Sequence, residues 1–240
     1  MANSLLVRLQ ALPWAAKEGF AMLLDTVTGA PERKQAALAY VKAHATAGNP
    51  ASVLAALDDF GRNRRFLMNI GDEKGPLLEK YIHQAGTHPR MLELGGYVGY
   101  SAILFSQMMG RSGQLVSIEL NPQAVNVAQQ MVEFAGLSGQ VDILQGDSHE
   151  LIPQLSGHFD LVFLDHWKNL YTRDLQLIES NQLLKPGSTI IADNCGPLFN
   201  PDVYLNYVRN HSLYTSTYIS AHLEYQTIED GVEVSTWQGS

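Results

Sequence analysis

From residue 89 onward, short apolar runs alternate with longer amphipathic ones. The runs at 91–94, 115–118, 141–144, 161–164 and 189–192 read as buried strands. Between them, 100–109, 122–134, 148–155 and 170–183 carry apolar positions at helical spacing. Strand–helix alternation of this length implies right-handed crossovers and a parallel sheet covered on both faces. Upstream, residues 1–87 read as helices only, over 31–47, over 50–64 and after the Gly71-Asp72 break, with further breaks at Gly29-Ala30-Pro31 and Gly48-Asn49-Pro50. Downstream, a helix at 203–210 precedes strand-like runs at 217–227 and 232–237. These flank Glu229-Asp230-Gly231, whose Asp-Gly pair reads as a hairpin turn. The expected architecture is α/β, a single domain over residues 1–240. N-terminal helices over 1–87 are added to a doubly wound, mostly parallel Rossmann-like sheet over 88–240, closed by a C-terminal antiparallel hairpin.

The first thirty residues carry Leu5, Leu6, Leu9 and Leu12 at helical spacing, then Phe20, Leu23 and Leu24. Arg8, Lys17 and Glu18 interrupt them, well short of the roughly 20 apolar residues that a membrane span needs. An amphipathic helix packed on its own domain or on a partner subunit is expected, with a membrane-surface helix as the alternative. No stable membrane insertion is expected. The sequence sets no oligomeric state.

Composition changes this picture in three places. Hydrophobic residues make up 45% of the 240 and charged residues 17%, enough for a sizeable core. The formal net charge of -8 argues against nucleic acid as a partner, because phosphate binding needs a basic face. Cys195 is the single cysteine, so no intrachain disulfide can form. That fits a reducing compartment, and the cytoplasm is the expected location.

In doubly wound sheets, ligands bind beyond the carboxyl ends of the strands. Glu93-Leu94-Gly95-Gly96-Tyr97-Val98-Gly99-Tyr100-Ser101 ends the first strand there and opens a helix. Two cofactor classes compete for such a glycine-rich turn. A nicotinamide site wants G-x-G-x-x-G facing a pyrophosphate. Here the spacing is G-G-x-x-G, and Glu93 two residues before Gly95 would repel a pyrophosphate and suit a donor carrying sulfonium and ammonium charges. Glu119, at the end of the next strand, is placed to accept from ribose hydroxyls.

Asp165 follows the fourth strand, and Asp193 and Asn194 follow the fifth. Three hard oxygen donors at two adjacent strand tips suit magnesium, which keeps coordination positions for water or substrate. Strand-end aspartates that merely cap loops or helices are the competing reading. Lys168, three residues after Asp165, can face the same pocket as a general base, or be an ordinary surface lysine.

The stretches 92–101, Phe163-Leu164-Asp165-His166-Trp167-Lys168, Ala192-Asp193-Asn194 and 218–225 resemble the catechol O-methyltransferase family. So do Met68-Asn69-Ile70-Gly71-Asp72 and Asn121-Pro122, and the likeness runs from about residue 31 to the C-terminus. The resemblance implies S-adenosylmethionine as methyl donor, Mg2+ on Asp165, Asp193 and Asn194, and a small-molecule catechol as acceptor. It further implies Lys168 as the base and Glu224 as the partner of the second hydroxyl. Asn194, Trp167 and Phe66 would complete the acceptor site. The donor would be lined by Ile70, Glu93, Gly95, Tyr97, Ser101, Glu119, Leu120, Ser148, His149, Asp165, His166 and Trp167.

The chain also departs from that family. Phe66 stands where a tryptophan is usual, the stretch 195–201 places its proline one residue earlier at Pro197, and Asp147-Ser148-His149 replaces an Ala-Ser-Gln-like segment. Residues 1–30 lack a clear counterpart. These changes touch the acceptor wall and the adenine edge, so larger phenolic substrates are one rival reading. A homologue kept mainly as a binding or assembly partner is the other.

Overall fold

The computed structural model describes the backbone of residues 2–239 and the side chains of residues 5–239. Four helices come first: α1 (Ala2–Thr28), α2 (Arg33–His44), α3 (Pro50–Asn63) and α4 (Gly71–Gln84). The alternating part follows as β1 (Arg90–Leu94), α5 (Tyr100–Met109), β2 (Gln114–Glu119), α6 (Pro122–Phe134), β3 (Val141–Gln145), α7 (Ser148–Leu151), β4 (Phe159–Leu164), α8 (Tyr171–Ser180) and β5 (Leu184–Ala192). It closes with α9 (Asp202–Asn210), β6 (Tyr214–His222) and β7 (Glu229–Trp237). The seven strands form one sheet in the order β3-β2-β1-β4-β5-β7-β6. All pairs from β3 to β5 are parallel, and β7 joins β5 and β6 antiparallel.

Sequence explains the main elements. β4 is buried on both faces, with Leu161, Val162, Phe163 and Leu164 at 0% exposure, which is why it reads as a continuous apolar run rather than an alternation. One core, with Leu57, Leu78, Ile103 and Met131, ties α2 to α6 to one face of the sheet. A second, with Tyr171, Leu175, Tyr204 and Val208, ties α8 and α9 to the other. Asn121 caps α6 by accepting from Gln123 N (2.9 Å) and Ala124 N (3.0 Å), ahead of Pro122 in the first turn. The order reverses between β1 and β4, which opens the switch-point crevice above their carboxyl ends.

Several expectations need correction. The helix at 148–155 stops at Leu151 and tightens into a 3₁₀ turn over Ile152–Gln154, because Pro153 cannot donate to the helical ladder. The helix at 170–183 ends at Ser180, where Gln182 adopts φ +55° and turns the chain into β5.

The Asp-Gly pair is not the hairpin turn. Glu229, Asp230 and Gly231 pair inside β7 with His222, Ala221 and Ser220, and residues 223–228 make the connection. Leu223 N–H donates to Ile228 O (2.8 Å), and Tyr225 takes φ +58°. The pair is drawn into the strand because the Asp230 carboxylate is a buried anchor and Gly231 leaves room for the Tyr218 hydroxyl, which donates to Asp230 O (3.0 Å).

α1 also differs. Its docking face is Val7, Ala11 and Trp14, packed on Leu198, Leu223 and Ile228. The leucines that define the apolar periodicity, Leu5, Leu6, Leu9, Leu12, Leu23 and Leu24, together with Phe20, lie exposed. The apolar cluster that meets the helix is small, so one strip of α1 suffices to cover it.

A Cβ on Gly231 would lie 2.4 Å from the Tyr218 hydroxyl and 2.5 Å from Ile219 O. Gly231→Ala is therefore expected to lower unfolding stability by about 2 kcal/mol or more in urea titration. Gly139→Ala, where nothing lies within 4 Å, should change it by no more than about 0.5 kcal/mol. Equal, small effects would mean that residues 230–231 form an open turn.

Candidate active site

The carboxyl ends of three neighbouring strands bring the chemistry together. Leu94 pairs with Leu164, and Leu164 with Ala192, so the residues that follow leave the sheet side by side. The ladder continues one residue further: Asp165 N–H donates to Leu94 O (2.9 Å) and Asp193 N–H to Leu164 O (3.0 Å). This fixes the backbones of Asp165 and Asp193 next to each other. Gly95, at φ +100°, passes so close that a Cβ would lie 2.8 Å from the Asp165 carbonyl. Only glycine fits there.

Below the aspartates lies a group that sequence reading missed. Lys74, on the first turns of α4, is fully buried, and its ammonium donates to Asp193 Oδ1 and Asp230 Oδ2, both at 2.7 Å. Burial works against its charge, but Asp193 and Asp230 hold its pKa above the ordinary lysine range. Asp230 Oδ2 also accepts from the Asn194 amide nitrogen (2.9 Å), and its Oδ1 from Gly196 N–H (3.0 Å). The nitrogen of Asn194 is thus committed, which leaves its Oδ1 as the end available to a ligand. Asn194 sits at φ +53°, a conformation that asparagine tolerates better than most residues. Tyr171 donates to Asp193 O (3.2 Å) from the other side of the sheet.

Lys168 stands over this floor, 3.1 Å from Asp165 Oδ1 and 3.3 Å from His166 O, on the turn that precedes α8. Burial raises the Asp165 pKa to about 7 against the pull of Lys168, and Asp193 adds to the rise. Asp193 is raised as well, by burial. Glu224 closes the cluster from the β6–β7 turn. Burial pushes it to about 8, against the charge of Lys74, and its Oε2 is buried with no hydrogen-bond partner. Its place is set by the next residue: Tyr225 donates to Asp58 Oδ1 (2.9 Å) on α3, anchoring the turn.

A second group lies beyond β1 and β2. Glu93 is fully buried and accepts from Ser117 Oγ (2.5 Å), with its other oxygen unpartnered. Burial raises its pKa to about 7, opposed by the nearby Ser101 and Ser117 hydroxyls. Glu119 accepts from Tyr97 N–H (2.9 Å) and Asn121 N–H (2.8 Å), which pins the glycine-rich turn. Ser148 and His166 meet on Asp174, at 2.5 Å and 2.9 Å, where Arg173 also donates (2.6 Å). These hydrogen bonds hold Asp174 at about 2 despite its burial. Ile70 is buried beside α4 and Phe66 is half-buried, whereas Leu120, His149 and Trp167 lie on the exposed rim.

Every residue nominated at the strand tips thus falls at one end of the sheet. Lys74, Asp230 and Asp174 were not nominated. A lysine after Asp72-Glu73 has the look of a solvated helix charge, and its partner Asp230 lies 156 residues away. Around the strand tips, Asp165, Asp193, Glu224 and Asp230 bring four formal negative charges against the two positive charges of Lys74 and Lys168. Crowded carboxylates whose pKa values are raised by burial suit a divalent cation, which would favour their ionised forms. Among the described residues no three His, Cys, Asp or Glu side chains gather around one point, so a cation here relies on the Asn194 amide as third ligand.

Removing the Lys74 ammonium leaves two buried carboxylates uncompensated. Lys74→Met is expected to cost about 3–5 kcal/mol of unfolding stability, and Asp230→Asn in the same chain to restore part of it. Denaturant titration of the single and double variants checks this, and a cost below about 1 kcal/mol would show that the lysine is dispensable.

The comparisons agree with the architecture. A family profile described as O-methyltransferase matches residues 46–206. Catechol O-methyltransferase B of Danio rerio is 41% identical over 90% of this chain and 83% of its own length. The Mus musculus catechol O-methyltransferase is 40% identical over 86% of this chain and 79% of its own. Among solved structures, the O-methyltransferase from Bacillus cereus in complex with SAH superposes with a TM-score of 0.63 at 19% identity, over 79% of this chain and 89% of that one. At that identity the likeness speaks for the fold alone. Sequence and fold together place the protein: it belongs to the catechol O-methyltransferase family of O-methyltransferases and is a methyltransferase enzyme.

Proposed function

We propose that the protein transfers the methyl group of S-adenosylmethionine to one hydroxyl of a catechol, with Mg2+ held by Asp165, Asp193 and Asn194. What carries the reading is the side-by-side emergence of Asp165 and Asp193 from adjacent parallel strands, with Lys168 on one carboxylate and Glu224 facing the same floor. A vicinal diol matches such a site because its two oxygens need different partners a fixed distance apart.

Glu93 and Glu119 bind the donor, accepting hydrogen bonds from its ammonium and ribose hydroxyls. The Gly95-Gly96 turn lets the backbone approach the donor without a Cβ between them. When bound, Mg2+ supplies a positive charge that lowers the pKa of a nearby hydroxyl. Lys168 Nζ takes the proton from the reacting hydroxyl, while Glu224 holds the second one through its free Oε2. The acceptor oxygen then attacks the sulfonium methyl in line. The O–C bond forms as the C–S bond breaks, and that bond's electron pair returns to sulfur, giving S-adenosylhomocysteine. Holding the reactants roughly 3 Å apart removes much of the entropic barrier.

A small-molecule acceptor, rather than nucleic acid, is the partner that the acidic chain suits. No helix among the described residues is long and apolar enough to cross a membrane. With its one cysteine free and buried, the chain is assigned here to the cytoplasm.

Two outcomes check this reading. Lys168→Met is expected to lower kcat on catechol by roughly 10²-fold or more with little change in donor Kd, and Asp165→Ala or Asp193→Ala to remove turnover. Equal losses of donor binding and turnover would point to misfolding. The second outcome is a pH dependence. A cationic donor binds ionised Glu93, which is protonated below about 7. Affinity for S-adenosylmethionine should therefore rise from pH 6 to pH 8, with proton release on the acid side, and level off above. Glu93→Gln should bind weakly and lose most of that slope by calorimetry; a flat wild-type profile would contradict the assignment.

A further inference from the structure

We propose that α1 roofs the acceptor side of the site and that Trp14 selects among ring-substituted catechols. The inference rests on the proposed catechol reading. Three separate loops meet α1: the α3–α4 loop with Phe66, the β5–α9 loop with Leu198, and the β6–β7 turn with Leu223, the residue before Glu224. One strip of α1 touches all three. Val7 and Ala11 are buried against Leu223 and Ile228, Trp14 and Leu198 join the same cluster, and the Trp14 ring meets Phe66 edge-on at 5.2 Å and 77°.

The helix is latched there by charge rather than by its leucines. Arg33 bonds to Glu18 (3.0 Å) and Asp25 (3.1 Å), Arg65 bonds to Asp25 (2.7 Å), and Arg33 also donates to Phe66 O (3.2 Å). The ion pairs therefore tie α1 to the very loop that carries Phe66.

Trp14 Nε1 is buried and has no hydrogen-bond partner among the described residues. A buried indole N–H without an acceptor is disfavoured by desolvation, and a ligand that brings one relieves it. The chemical class that fits is a catechol whose ring carries a neutral acceptor group, such as an aldehyde or ketone. The indole ring packs on the aromatic face, and its N–H donates to the substituent carbonyl.

The test compares catechol with 3,4-dihydroxybenzaldehyde in wild type, Trp14→Phe and Trp14→Ala, reading KM and kcat for each acceptor, KM for the donor, and Tm. Trp14→Phe should raise the ratio of aldehyde KM to catechol KM about fivefold. Trp14→Ala should raise both by roughly tenfold, leaving the donor KM within twofold. An unchanged aldehyde-to-catechol ratio in Trp14→Phe, or donor and acceptor KM rising together, overturns this inference and leaves the methyl-transfer reading standing. No turnover of either acceptor by the wild type overturns that reading, and this one with it.

Discussion

The buried ammonium of Lys74 is the constraint on which the active end of this molecule depends. It reaches from α4 under the sheet edge to two carboxylates, Asp193 from the parallel half and Asp230 from the antiparallel hairpin. Neither aspartate is tolerable in that position alone, since burial disfavours each charge by several kcal/mol. Joined through Lys74 and the Asn194 amide, they hold the loop after β5 and the strand β7 in one geometry. The same contact therefore builds the fold and sets the direction of the strand-tip side chains.

From that anchor the rest follows by adjacency. Parallel register delivers Asp165 beside Asp193, and the close passage of Gly95 holds the donor-side turn against the same backbone. Tyr225, tied to Asp58, carries Glu224 over the floor. A methyl transfer needs donor sulfur, methyl and acceptor oxygen in line, and no single element supplies that. The elements that could do so converge at the crevice between β1 and β4, where the chain leaves those strands in opposite directions.

Much of this was legible in the sequence. Strand tips were visible because fully buried parallel strands are apolar without interruption, and the polar residues that end them stand out: Asp165 after Phe163-Leu164, and Asp193 after Ala192. What escaped was whatever depends on distant pairing. Lys74 looks like a solvated lysine until Asp230 is brought to it from 156 residues away. Asp230-Gly231 carries a good turn signal, and tertiary anchoring overrides it. In α1 the apolar period was readable but not the face used, since three short loops offer only a narrow strip and the leucines stay outside. Glu224 was reached through family resemblance, because a lone glutamate beside a turn has no spacing that marks it.

We propose that a divalent cation on Asp165, Asp193 and Asn194 makes this enzyme select a vicinal diol. The direct measurement is the initial rate of methyl transfer from labelled S-adenosylmethionine to catechol and to phenol, each in Mg2+ and in excess chelator. Turnover of catechol in Mg2+, its loss in chelator and its restoration by added Mg2+, with phenol left unmethylated throughout, is the expected result. Catechol methylation that survives the chelator, or phenol turned over as fast as catechol, would contradict it.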